Sequence, residues 1–397
     1  MFWAGKHNVK DIAVAAECAV PVASRASEID ALRCLAMTFV VLLHKKLMPA
    51  GWIGVWLFFV ISGYVVTKSM IDHQSTATGS ARLRHFFVRR VGRIVPIYYI
   101  YITIGIGFSL IQGHDLDWLA VASLFGFYNN YAMIIARGDL AFWPVTHLWT
   151  ISTEMQFYAV YGVSLCLLPK RFTTGLLVAL VALAPIARAI ASDLLTRQGW
   201  APVPLAYAIY AGPGLHADVF AMGALLAFAG KRWPLAAFAR PLAAAGMAAI
   251  CAYSVLYLGI NHIVLGERGF EQLRNIVSGI LYGQYREVFL YSALGLWGTG
   301  MVALAASRDN LVCWLLGNKT LQWVGTVSYG AYVFHPLILY LVASFSHGWR
   351  GAGAAQGLGY RIAEFLFSYA LILIAAWLSF RFVETPLSRP REPATSS

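Results

Sequence analysis

Long apolar runs separated by short polar joints recur along the whole chain, and their length sets the fold class. A helix needs about twenty consecutive apolar residues to cross the hydrocarbon core of a bilayer. Runs of that size fall at 29–48, 52–71, 94–112, 146–168, 173–195, 212–230, 235–258, 288–307, 321–345 and 361–383. An eleventh apolar stretch, 117–135, contains Tyr128, Asn129 and Asn130 and stops before Arg137. The pattern predicts an all-α fold, a polytopic transmembrane helical bundle.

Charge decides between ten spans and eleven. With ten spans and the N-terminus inside, the cytoplasmic joints receive the cluster from Arg82 to Arg93 and then Lys170, Arg171, Lys231, Arg232, Arg308 and Lys319. A full crossing at 117–135 would turn Lys170 and Arg171 outward and reverse the side of every later cluster. About ten spans with both termini cytoplasmic best satisfy the excess of Lys and Arg expected on the inner side. The expected organisation is a cytoplasmic extension over 1–28, a transmembrane domain over 29–387 and a cytoplasmic tail over 388–397. The extension imitates a signal peptide only faintly, because Asp11 and Glu17 interrupt its apolar run.

Composition agrees. The 397 residues are 59% hydrophobic and 12% charged, with mean hydropathy +0.65, whereas a soluble domain carries about a quarter charged residues. The net charge of +12 raises the question of nucleic acid, but the cations sit in the joints between spans rather than on one patch. Five scattered cysteines form neither a disulfide framework nor a metal-ligand spacing, so no metal is expected. Phosphate-loop, zinc-protease and nucleophile-elbow motifs are absent from the sequence.

Candidate chemistry therefore lies in the ionisable and polar residues inside the spans, each costly in a bilayer and functional by default. Arg33 and His44 are eleven residues apart in one apolar segment, about three turns, so they share a helix face roughly 16 Å apart along the axis. Glu154 lies about 10 Å past His147 along its helix, at a depth where a carboxylate would fix the tautomer of His44 and raise its basicity; an ion pair with an arginine is the alternative. His335 precedes Pro336, which frees a backbone carbonyl, so a structural hydrogen bond is expected there. His216 and Asp218 sit near an outer helix end. Ser62-Gly63-Tyr64 interrupts a span, where Gly63 suits close approach of a helix or a ligand. Between the second and third spans, Arg82 to Arg93 interleaves Phe86 and Phe87 with arginines and predicts a helix lying in the cytoplasmic interface, its guanidinium groups toward water or toward an anionic ligand.

Taken in order, these segments resemble the acyltransferase-3 family of integral membrane acyltransferases. The matching pieces are Leu32-Arg33 with His44, Gly54 to Tyr64, Phe87 to Pro96, His147 to Tyr158, Asp218 to Gly223, Val327 to His335, and Glu384-Thr-Pro386. The resemblance implies transfer of an acyl group, most often acetyl, from cytoplasmic acyl-CoA to a hydroxyl of a cell-surface or exported glycan such as a lipopolysaccharide or exopolysaccharide. In some members the acceptor is a secondary metabolite such as a macrolide.

The resemblance further implies His44 as the catalytic histidine and Arg33 as its partner. Arg90 with Arg93 matches the family's paired arginines, Ser62, Gly63 and Tyr64 its Ser-Gly-aromatic motif, and Glu154 the acid of a further motif. His216 departs from the pattern, standing where many members carry Arg. Acyl-CoA is expected as donor substrate rather than as a permanently bound cofactor. The other expected partners are a saccharide acceptor from the outer side and the bilayer of a bacterial cytoplasmic (inner) membrane, without nucleic acid; no esterase-like domain is expected after residue 387. The competing class is a glycan transporter or flippase using the buried His, Glu and Asp as a proton path, although the two halves share no evident repeat.

Overall fold

The computed structural model describes residues 27–72, 79–135, 143–212, 214–264, 266, 268–269, 286–350 and 357–388. The flanks expected over 1–28 and 388–397 lie almost entirely outside the described residues, as does Arg137. The described residues are helical throughout, without a β-strand.

Ten helices coincide with the ten predicted spans. They are α1 (Ser27–His44), α2 (Ile53–Asp72), α3 (Gly79–Ile111), α4 (Trp149–Leu167), α5 (Lys170–Arg197), α6 (Ala217–Arg232), α7 (Ala239–Ile263), α8 (Arg286–Ala306), α9 (Ser328–Arg350) and α10 (Leu358–Ser379). Seven, α2, α3, α5, α7, α8, α9 and α10, are long and apolar enough to cross a membrane. The other three carry Arg33 and His44 (α1), Glu154 (α4) and Asp218 (α6). Their shortfall has a plain cause: α1 and α4 are diluted by charged and hydroxyl side chains, and α6 has only 16 residues. The chain is a multi-pass membrane protein.

The 117–135 stretch breaks into two short helices, Trp118–Phe125 and Asn129–Ile134, with Phe127 between them at a positive φ of 55°. Asp117 caps the first by accepting from the backbone N–H groups of Leu119 and Ala120. Eight residues rise about 12 Å, well short of a crossing. Both pieces are tied to longer helices. The hydroxyls of Tyr98 and Tyr99 on α3 donate to the carbonyls of Leu124 and Phe125. Asn129 and Asn130, fully buried, meet Ser152, Thr153 and Gln156 of α4. The asparagines that made this stretch hard to place thus satisfy their amides against protein.

The basic segment Arg82 to Arg93 departs from expectation. It forms the first turns of the 33-residue α3, which runs unbroken through Pro96, not a separate interfacial helix. At 1.5 Å per residue α3 is about 50 Å long, against a hydrocarbon core of about 30 Å, so it has length to spare beyond the bilayer. Its arginines differ in exposure: Arg84 and Arg89 are exposed, whereas Arg90 and Arg93 are half-buried and line a cavity.

Helix α2 packs against α6 at a reciprocal pair of glycines. A Cβ on Gly63 would collide with the carbonyl of Phe220, and one on Gly223 with the carbonyl of Val60. Only glycine lets the two backbones approach this closely, the device by which membrane helices gain van der Waals contact that lipid does not oppose. Trp56, Tyr210, Tyr291 and His216 pack together beside this crossing, with Trp56 and Tyr291 stacked at 4.7 Å.

Candidate active site

One cavity gathers the predicted donor-side residues. Arg33 from α1, Ser62 from α2, Arg90 and Arg93 from α3 and Glu154 from α4 line it together, with Tyr158, Tyr329 and Tyr332 completing its polar wall. Two helices that are remote in sequence, α1 and α3, thus bring three arginines to one place. Arg33 is buried and donates to Asp30 at 2.7 Å. Arg90 lies within electrostatic reach of Glu154 and Tyr158. Glu384, buried just past the end of α10, likewise lies within electrostatic reach of Arg93. Clustered guanidinium groups in a cavity that also admits apolar side chains suit an anion with a long organic arm.

Of Ser62, Gly63 and Tyr64, only Ser62 lines the cavity. Gly63 serves the α2–α6 crossing, and Tyr64 is buried within the core. Ser62 and Tyr158 both donate hydrogen bonds to Glu154 and lie 2.6 Å from one another. Glu154 therefore holds two hydroxyls on the cavity wall, where the sequence suggested that it would orient His44.

The imidazole beside His44 is instead another imidazole. His44 ends α1, is exposed, and packs against His335 with ring centroids 5.0 Å apart. His335 in turn lies 5.2 Å from His147. The expected structural hydrogen bond is present: His335 Nδ1 is 2.7 Å from the carbonyl of Tyr332, the carbonyl that Pro336 cannot engage four residues on. His147 Nε2 is 3.1 Å from the next carbonyl along, that of Val333. Among the described residues no group of three or more His, Cys, Asp or Glu is arranged to hold a metal ion.

Tyr332 joins the two regions. It lines the arginine cavity, its ring is 5.4 Å from His335 and 5.7 Å from His147, and its hydroxyl lies 2.7 Å from Thr150 Oγ1, also on the cavity wall. His44 does not itself line the cavity. Tyr332 thus touches both the arginine-lined cavity and the histidine rings.

His216 and Asp218 belong to a separate buried cluster. Asp218 receives Arg188 Nη1 at 3.0 Å and Nη2 at 2.8 Å, and Ser292 donates to the same carboxylate at 2.7 Å. Arg188 also donates to the carbonyls of Leu215 and Val288. His216, fully buried, hydrogen-bonds through Nε2 to the carbonyl of Tyr210 at 2.8 Å and sits edge-on to Trp56. Neither His216 nor Asp218 reaches the cavity. Sequence reading missed Arg188, although a lone cation inside the 173–195 span was as strong a signal as Arg33.

The family profile described as an acyltransferase domain matches residues 27–381. The chain belongs to the acyltransferase-3 family. Peptidoglycan O-acetyltransferase OatA of Listeria monocytogenes is 26% identical over 383 residues, which cover 91% of this chain and 55% of the relative. O-acetyltransferase OatA of Staphylococcus aureus is 24% identical over 381 residues, covering 91% and 57%. This acyltransferase-3 chain thus spans a little over half the length of the curated relatives it matches. No solved structure matches it.

Proposed function

We propose that this protein is a membrane O-acyltransferase that moves an acetyl group from acyl-CoA on the cytoplasmic side to a hydroxyl of a cell-surface or exported glycan. The observation that carries this reading is the convergence of Arg33, Arg90 and Arg93 on one cavity whose wall, Tyr332, abuts the histidine cluster containing His44. The glycan acceptor follows the peptidoglycan named for the Listeria relative. In this reading ten helices cross a bacterial cytoplasmic membrane with both ends of the chain inside. Residues 29–387 then form the catalytic domain between cytoplasmic flanks.

Each residue then has a role. The three guanidinium groups bind CoA phosphates through charge-assisted hydrogen bonds. Glu154, held by Ser62 and Tyr158, lies within reach of Arg90 and keeps that arginine directed into the cavity. The pantetheine arm carries the thioester past Tyr332. His44, exposed within the histidine cluster, removes the proton from the acceptor hydroxyl as its oxygen attacks the thioester carbonyl; the tetrahedral adduct then expels the CoA thiolate, which takes the proton from His44. General-base assistance of this kind is worth about a hundredfold to ten-thousandfold in rate.

The test is thiol release. Purified protein in nanodiscs, given acetyl-CoA and an oligosaccharide acceptor, should liberate free CoA in step with acetylated sugar. A transporter or flippase would move glycan without releasing thiol, and that outcome would overturn the proposal.

A further inference from the structure

Pro336 does more than remove a backbone donor from α9. A peptide carbonyl can only accept a hydrogen bond, so each imidazole nitrogen facing one carries the proton. His335 is therefore protonated on Nδ1, against Tyr332, and His147 on Nε2, against Val333. The opposite nitrogens, His335 Nε2 and His147 Nδ1, are left as lone-pair acceptors; both are buried and neither has a hydrogen-bond partner. An unsatisfied buried acceptor costs about 1–3 kcal/mol and invites explanation.

Ring geometry supplies one. An imidazole nitrogen is about 1.2 Å from its ring centroid, so two rings joined by an N–H···N bond of about 2.9 Å have centroids about 5.2 Å apart. The His44 and His335 centroids, 5.0 Å apart, are close enough for such a bond once the exposed His44 ring turns its N–H toward the unpartnered Nε2; His147, 5.2 Å from His335, presents a lone pair of its own and cannot donate. Resting on the reading of His44 as the base, we propose that His335 is a positioning residue for it. When His44 turns to meet it during turnover, its Nε2 lone pair accepts the N–H of His44, aims the other nitrogen at the acceptor hydroxyl, and supports the imidazolium that forms when that proton arrives. The proton stays on His44 until the CoA thiolate takes it, so His335 remains neutral throughout. Its tautomer is fixed by the Tyr332 carbonyl, much as a carboxylate fixes a histidine elsewhere. His147, with its own free lone pair behind His335, keeps the cluster able to accommodate a single positive charge.

Other titratable groups around the cluster are accounted for. Lys45 is paired with Glu364 of α10 at 2.9 Å, Tyr369 of α10 is bonded to Thr38, Tyr101 of α3 packs edge-on against His147, and the Tyr332 hydroxyl is bonded to Thr150. None of these contacts supplies His44 with a carboxylate partner.

Two substitutions separate positioning from simple packing. Asn at 335 places an amide near the old Nδ1 and preserves the contact with Tyr332, whereas Gln places one near the old Nε2. His335→Gln should stay within about tenfold of the wild-type kcat, while His335→Asn should lose about a hundredfold with KM for both substrates unchanged. The acidic limb of the kcat–pH profile should also move to lower pH in His335→Asn, because an unsupported His44 is less basic. An Asn variant equal to the Gln variant, or one whose limb stays in place, would overturn the proposal. Should neither variant fold, Pro336→Ala gives the Tyr332 carbonyl a backbone donor again and unlocks His335; a fall in kcat without loss of thermal stability is expected, and unchanged kcat would refute the idea. His44→Ala assayed alongside keeps the two readings apart. Full activity there removes His44 as base, whereas an inactive His44→Ala beside a fully active His335→Asn removes only His335.

Discussion

Asp218 accepts both terminal nitrogens of Arg188 in an ion pair from which solvent is wholly excluded. The pair ties α5 to α6, and Ser292 brings in α8. Removing one member of such a pair strands a charge in an apolar interior and typically costs about 3–5 kcal/mol. Arg188→Ala and Asp218→Ala should each lower the melting temperature sharply in detergent. Replacing both with apolar residues of similar volume should be far less harmful than the two single effects added together. Additive losses would mean that the pair is not the source of the stability.

The α2–α6 crossing depends on the absence of two Cβ atoms. Gly63→Val and Gly223→Val should each abolish the monodisperse folded peak in size-exclusion chromatography, because the obstructing atoms are backbone carbonyls that cannot turn aside. Gly107→Ala on α3, where an added Cβ meets nothing within 4 Å, should be neutral or slightly stabilising. Tolerance of valine at position 63 would contradict the close crossing.

The exposed and the cavity-lining arginines of α3 should behave differently toward the donor. Arg90→Ala and Arg93→Ala each remove a charge-assisted donor worth about 1.5–3 kcal/mol, so acyl-CoA affinity should fall by roughly tenfold or more in each. Arg89→Ala, one residue from Arg90 but exposed, should change affinity by less than about twofold. Calorimetry with a non-hydrolysable acyl-CoA analogue measures this directly. Equal losses at positions 89 and 90 would reduce all of these residues to a diffuse basic surface.

Glu154 should act on donor binding rather than on the base. Glu154→Gln keeps the shape that Ser62 and Tyr158 surround but removes the charge facing Arg90. KM for acyl-CoA should rise while the pH profile of kcat stays in place. A displaced profile would show that Glu154 reaches His44 during turnover.

Apolar run length located the helices α1 to α10 among the described residues, seven of them long and apolar enough to cross a membrane, because span length is set by the bilayer and leaves a direct imprint on sequence. The arginine cavity was legible in part: Arg33, Arg90 and Arg93 were visible as candidates, but their convergence depends on how α1, α3 and α4 pack, which no local pattern encodes. The same limit explains Glu154. Its depth in the membrane resembled that of His44, yet depth says nothing about azimuth, and its neighbours proved to be Ser62 and Tyr158. His335 was the reverse case. Pro336 announced a freed carbonyl four residues upstream, and the structure places the His335 ring on it. The basic segment of α3 misled because interleaved aromatics and arginines suit an interfacial helix and an extended transmembrane helix equally.

In the proposed mechanism His44 performs the chemistry while the arginine cavity holds the donor. His44→Ala should insert, fold and bind the acyl-CoA analogue with wild-type affinity, yet release thiol and acetylate acceptor at least a hundredfold more slowly. Wild-type acetyl transfer by that variant would contradict the account.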